Sequence, residues 1–104
     1  IVFLRHIAQE IEVIERAMAV PRTEFIDRAL TRSLEVIGEA ARNVSPEFRK
    51  AHAQVPWRSM VDMRNALIHG YFGVSYERVW EVCKEEIPAL KSHIQLFIAE
   101  LSRE

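Results

Sequence analysis

The sequence predicts an all-α fold, an antiparallel four- to five-helix bundle forming one domain over residues 1–104. Three observations carry this reading. Apolar residues recur at spacings of three and four along most of the chain, the period of one helix face. Nothing alternates with period two, and no hairpin dipeptide separates β-branched runs. Only three Gly and four Pro occur in 104 residues, too few for a turn-rich sheet. A chain of this length supports one modest core.

The first helix covers Phe3 to Ala19. Leu4, Ile7, Ile11, Ile14 and Met18 form its apolar stripe, with Glu10, Glu12, Glu15 and Arg16 mostly on the wetter side. Pro21 ends it, because proline lacks an amide hydrogen and biases Val20 away from helical backbone. Thr23 caps the next helix, with Glu24 in its first turn. Its stripe runs through Ile26, Leu30, Leu34 or Ser33 beside it, Ile37, Ala41 and Val44. Gly38 lies inside this helix at a cost of about 1 kcal/mol against Ala. Close approach of a second helix beside Ala40 and Ala41 is the expected compensation. Ser45 and Pro46 stop the helix and begin a short helical turn through Phe48.

Residues 51–56 form a connector. Pro56-Trp57-Arg58 reads as Pro at a first helical position followed by an aromatic anchor. Met60, Val61, Met63, Leu67 and Ile68 carry that helix to His69, and Gly70 suits a C-terminal cap or kink. Ser75 caps the last helix, with Glu77 in its first turn. Val79, Trp80, Cys83, Ile87, Leu90, Ile94, Phe97 and Leu101 make its stripe, with a kink expected at Pro88.

Composition narrows the function classes. Apolar residues make up 49% and charged residues 28%, a globular rather than a disordered balance. Cys83 is alone, so no internal disulfide forms, and its place in an apolar pattern reads as a small buried residue. No apolar run reaches the roughly 18 residues of a membrane span. The opening I-V-F-L is too short for a signal peptide, so the expected setting is the cytoplasm, with no membrane partner. Fourteen basic residues face 15 acidic ones, giving a net charge of −1. Proteins that bind long nucleic acid non-specifically carry a basic surplus, so any nucleic-acid site here must be local. Arg58, Arg64, Arg78 and Lys84 are the expected source of a positive patch.

Metal and cofactor signals are absent. His6, His52 and His93 are scattered, no H-E-x-x-H occurs and no two Cys exist. Glu35 and Glu39, spaced i,i+4, lack a partner His and read as solvated or Arg-paired carboxylates. Neither a phosphate-binding Gly series nor G-x-S-x-G is present.

The densest chemistry lies in R-N-A-L-I-H-G-Y, Arg64 to Tyr71. Arg is a fixed fork suited to phosphate oxygens, and His trades protons near neutral pH. Asn65 is placed to hold a phosphate oxygen or the Arg64 side chain. On a straight helix Arg64 and His69 point about 140° apart. Their convergence needs either a break at Gly70 or two copies facing each other across a two-fold axis. The plainer alternative pairs Arg64 with Asp62 or a glutamate and uses His69 to cap the helix end. Tyr71 is either an amphipathic edge residue or an exposed hydroxyl open to nucleotidylation or base stacking.

The chain resembles the HepT-like members of the HEPN superfamily, toxins paired with a minimal nucleotidyltransferase antitoxin. The resemblance covers essentially the whole chain. It rests on I-G-E-A-A-R-N at Ile37 to Asn43, P-W-R at Pro56 to Arg58, M-R-N-A-L-I-H-G-Y-F-G-V at Met63 to Val74 and I-P-A-L at Ile87 to Leu90. The central signature is Arg, four residues, His, any residue, Tyr. It is met by Arg64, His69 and Tyr71, with Asn65 as the polar neighbour. The resemblance implies a symmetric helical homodimer whose two motifs meet in a cleft. It implies metal-independent RNA cleavage, with Arg64 and His69 as catalytic residues and Asn65 in support. It also implies an antitoxin that transfers AMP to the motif tyrosine, here Tyr71. Arg58, Arg78 and Lys84 are candidate RNA contacts. The alternative is a non-catalytic module that binds nucleotide or regulates a nucleotidyltransferase partner.

Overall fold

A computed structural model describes residues 1–70 and 75–103. Six helices are formed among them: α1 (Val2–Met18), α2 (Glu24–Asn43), α3 (Pro46–Ala51), α4 (Trp57–His69), α5 (Tyr76–Glu85) and α6 (Ile87–Ser102). Three of them, α2, α3 and α5, start at a hydroxyl cap. The Thr23 hydroxyl accepts a hydrogen bond from the Ile26 amide at 3.3 Å. Ser45 does the same for Phe48 at 3.2 Å, and Ser75 for Arg78 at 3.3 Å. Such caps satisfy amides that have no intrahelical partner. Gly70 closes α4 in the left-handed region, at φ 64° and ψ 34°, and its amide donates to the Ala66 carbonyl.

Three local details differ from the sequence reading. The short helix continues past Phe48 to Ala51. Pro56 sits one position before α4 rather than at its first residue, and no side chain caps that end. The long last helix is two helices, α5 and α6, meeting at Glu86. Pro88 explains the break. Its ring would collide with the Lys84 carbonyl four residues earlier, and it has no amide to continue the ladder. The chain restarts with Pro88 in the first turn of α6, where its missing donor costs nothing.

α2 is the central element and packs against α1, α4 and α5, while α6 covers α1 and α5. Leu4, Ile7, Ile11 and Ile14 of α1 meet Leu30, Leu34 and Ile37 of α2 and Leu90, Ile94 and Phe97 of α6 in one buried cluster. Each fully buried aliphatic side chain contributes about 1.5–3 kcal/mol relative to exposure. Trp57 is buried, and its indole N–H donates to the His52 carbonyl at 3.0 Å. Phe97 anchors the base of the core, with Phe48 at 5.4 Å and His52 at 4.4 Å between ring centroids.

At the other end Arg22 clamps the α1–α2 turn to α5. It lies 2.7 Å from Asp27, 2.9 Å from Glu77 and 4.9 Å from the centre of the Trp80 ring. Hydrogen bonding to Asp27, then to Glu77, raises its pKa further above the usual range. No helix among the described residues is long and apolar enough to cross a membrane.

Candidate functional site: the α2–α4 seam

The site is built on the crossing of α2 and α4. Gly38 makes it possible. A β-carbon there would collide with Cβ of Arg64 and come within 2.6 Å of the Met60 carbonyl. The backbone of α2 therefore lies directly against the stem of Arg64, which fixes where that side chain leaves α4.

Two polar neighbours hold the guanidinium. Nη1 of Arg64 donates to Oδ1 of Asn65 at 2.8 Å. Nε lies 3.2 Å from Oε2 of Glu39. That Nε–H is shut off from solvent and is not aligned for a hydrogen bond, so the contact with Glu39 is mainly Coulombic. Glu39 is itself fixed from two other sides. Asn43 Nδ2 donates to its carbonyl at 2.9 Å and reaches Oε1 at 3.4 Å. Arg42 Nη1 stands 3.9 Å from the same Oε2 that faces Arg64. Two arginines thus share one carboxylate.

Arg64 borders a groove of about 250 Å³ between α1, α2 and α4, whose walls include His6, Arg32, Glu35, Glu39 and Ile68. His69 is the last residue of α4 and is exposed. Because α4 runs unbroken through His69, Gly70 turns the chain only after it. Arg64 and His69 therefore stay about 140° apart around the helix axis. Asn65 and His69 share one face of α4, and Arg64 faces the α2 seam. Tyr71 lies outside the described residues.

The remaining candidate residues divide between surfaces. Arg58 is 92% exposed and 3.6 Å from Asp62, so Asp62 does not serve Arg64. Arg58 belongs to a groove with Arg42, Arg49 and Lys50. Arg78 pairs with Glu81 and Glu86 and borders a separate, more apolar groove of about 330 Å³ beside Met60, Met63 and His93. Lys84 is exposed in the last turn of α5. Glu35 pairs with Arg32 at 3.4 Å, so both carboxylates of the Glu35–Glu39 pair face arginines. Among the described residues, no three His, Cys, Asp or Glu gather to hold a metal. Cys83 is buried, and desolvation pushes its thiol up to about 12, which removes it from nucleophilic chemistry at neutral pH.

The ribonuclease HepT-like family matches residues 4–97, nearly all of the six-helix frame that carries this seam. The chain belongs to that family. Relatives of similar length support the assignment. The protein named "Putative RNase TTE0752" of Caldanaerobacter subterraneus subsp. tengcongensis is 44% identical over 99 residues, covering 89% of this chain and 88% of its own. "Putative RNase MJ1380" of Methanocaldococcus jannaschii is 40% identical over 90 residues, covering 82% and 83%. "Probable ribonuclease HepT" of Thermococcus cleftensis is 39% identical over 102 residues, covering 89% and 90%. No solved structure matches the chain. In this HepT-like chain, Glu39 and Gly38 are part of the arginine's setting. Sequence alone hints at Gly38 through its helical position, but the pairing of Glu39 with Arg64 is a contact between residues 25 positions apart.

Proposed function

We propose that the chain is a metal-independent endoribonuclease toxin of a toxin-antitoxin pair, acting in the cytoplasm as a symmetric dimer. The RNA 2′-hydroxyl attacks the adjacent phosphate, leaving a 2′,3′-cyclic phosphate and a free 5′-hydroxyl. His69 moves the proton, and the second subunit's motif supplies the complementary acid or base. Arg64 holds the phosphate and offsets charge developing in the transition state. Asn65 orients Arg64. The observation that carries this reading is the setting of Arg64. In a chain of the ribonuclease HepT-like family, its guanidinium is held by Asn65 and Glu39 at the edge of a groove. The 140° between Arg64 and His69 supports a two-copy site, and so does Ile68, 46% exposed on the groove wall.

A minimal nucleotidyltransferase antitoxin is the proposed partner, and AMP on Tyr71 the proposed off-switch. The added phosphodiester would compete with RNA for Arg64, and the adenosine would fill the cleft. The test is cleavage of single-stranded RNA in excess chelator. Arg64→Ala and His69→Ala should each lower the rate at least about a hundredfold. Substrate with 2′-deoxy residues should resist. Cleavage unchanged in both variants would sink the mechanism.

One observation favours a second reading. Glu39 already neutralises Arg64, as suits a resting module that binds nucleotide or regulates a nucleotidyltransferase. That reading predicts nucleotide binding lost in Arg64→Ala and no RNA product from the unmodified protein.

A further inference from the structure

A second basic surface lies at the other end of the same seam. A groove of about 540 Å³ runs between α3, the start of α4 and the end of α2. Arg42, Arg49, Lys50 and Arg58 stand around it, and no Asp or Glu is among its walls. In a chain of net charge −1, four cations around one concavity are a local concentration of positive charge, even with Arg58 facing Asp62 at 3.6 Å and Arg42 facing Glu39 at 3.9 Å behind the rim. The Nε–H of Arg49 is buried with no hydrogen-bond partner. Ser59 adds a hydroxyl to the lining, and the rest is buried Trp57 with proline and aliphatic side chains.

The groove is joined to the motif arginine. Arg42 on its wall and Arg64 in the seam flank the same Glu39 oxygen, at 3.9 and 3.2 Å. Arg58 precedes Arg64 by six residues of α4, about 9 Å of axial rise and about 120° around the axis, so Arg42 rather than Arg58 is the direct link between the two sites. A strand whose phosphate meets the accessible part of the Arg64 guanidinium passes Arg42 next, and then the open side of the groove.

We propose that this groove binds the phosphate backbone of single-stranded RNA extending from the Arg64 site. This deepens the ribonuclease reading and rests on it for the identity of the strand. Backbone contacts of this kind position a strand without reading its bases. They give the bound strand a direction, from the reacting phosphate along the seam toward α3.

The test measures binding, independently of turnover. The probe is a fluorescein-labelled 2′-O-methyl RNA strand of about 12 nucleotides, which lacks the attacking hydroxyl. Its affinity is followed by anisotropy over a range of salt concentrations. Lys50→Glu with Arg58→Glu reverses two exposed charges. It should weaken binding at least about tenfold and flatten the salt dependence by about 1.4 in log–log slope, the loss of two phosphate contacts. Lys50→Gln with Arg58→Gln should fall between it and the wild type. Arg16→Glu, on the exposed side of α1, is the control for charge reversal outside the groove and should bind as the wild type does. Equal affinity in the wild type and the Glu variant overturns the proposal and leaves the groove to an acidic protein partner. Equal weakening by Arg16→Glu, or no binding by the wild type, also overturns it. The ribonuclease reading fails separately, if unmodified RNA is not cut while groove-dependent binding persists.

Discussion

Gly38 is the residue on which the position of Arg64 depends. In an ordinary helix Gly→Ala stabilises by about 1 kcal/mol. Here the added methyl would run into Cβ of Arg64 and the Met60 carbonyl, and neither is the free end of a flexible side chain. Overpacking of this kind costs about 1–3 kcal/mol. Gly38→Ala should therefore destabilise by about 1 kcal/mol net, read as a lower urea midpoint at unchanged m. A gain in stability would show that α2 and α4 are less tightly apposed. Cys83 gives a pH prediction. Burial raises its pKa to about 12, so folding disfavours the thiolate. The stability this contributes is fully present below the ordinary thiol pKa of about 8.5 and is lost as pH rises toward the folded value. Wild type should thus lose up to about 1.4 kcal/mol per pH unit relative to Cys83→Ala between pH 9 and pH 11. Urea unfolding of both proteins at those two pH values checks it.

Hydroxyl-capped helix starts were the most legible features of the elements. Thr23, Ser45 and Ser75 each carry a short hydroxyl just before a helical stripe, and each accepts the amide three residues on. Removing the Thr23 hydroxyl by Thr23→Ala should cost about 1 kcal/mol, within a range of 0.5–2. Thr23→Ser should recover most of it, a contrast that thermal unfolding resolves. The α5–α6 junction was only partly legible. Pro88 marks a disturbance in the stripe, but kink and break share the same local sequence. The break at Glu86 lets Ile87, Leu90, Ile94 and Phe97 turn into the core against α1 as a separate helix. Packing, not propensity, selects between the two outcomes.

On the scale of the whole molecule, the body measures 42 × 28 × 19 Å. Large apolar side chains such as Phe25, Ile68 and Leu96 remain exposed on it. A second copy over the Ile68 side of the seam would bury some of this surface and bring two motifs together. We expect static light scattering at micromolar concentration to give about 24 kDa, twice the 12.1 kDa chain mass. A single species at 12.1 kDa would count against a site shared between subunits. The near-neutral charge keeps such an association free of strong self-repulsion.

By itself the sequence determined what depends on near neighbours. Spacings of three and four set the helices, hydroxyls and prolines set their ends, and the Arg64–His69 motif with its flanking landmarks identified the family. The burial of Cys83 followed from its apolar stripe, and the anchoring of Trp57 from its place after Pro56. Tertiary structure decided everything that joins distant residues. It paired Arg64 with Glu39 rather than Asp62, and it gathered Arg42, Arg49, Lys50 and Arg58 around one groove while placing Arg78 on another. A charged side chain reaches several ångströms from its backbone, and the 3.6-residue repeat says which face it leaves from. Which partner stands opposite is fixed only when two helices pack, because that choice depends on the crossing point that Gly38 allows.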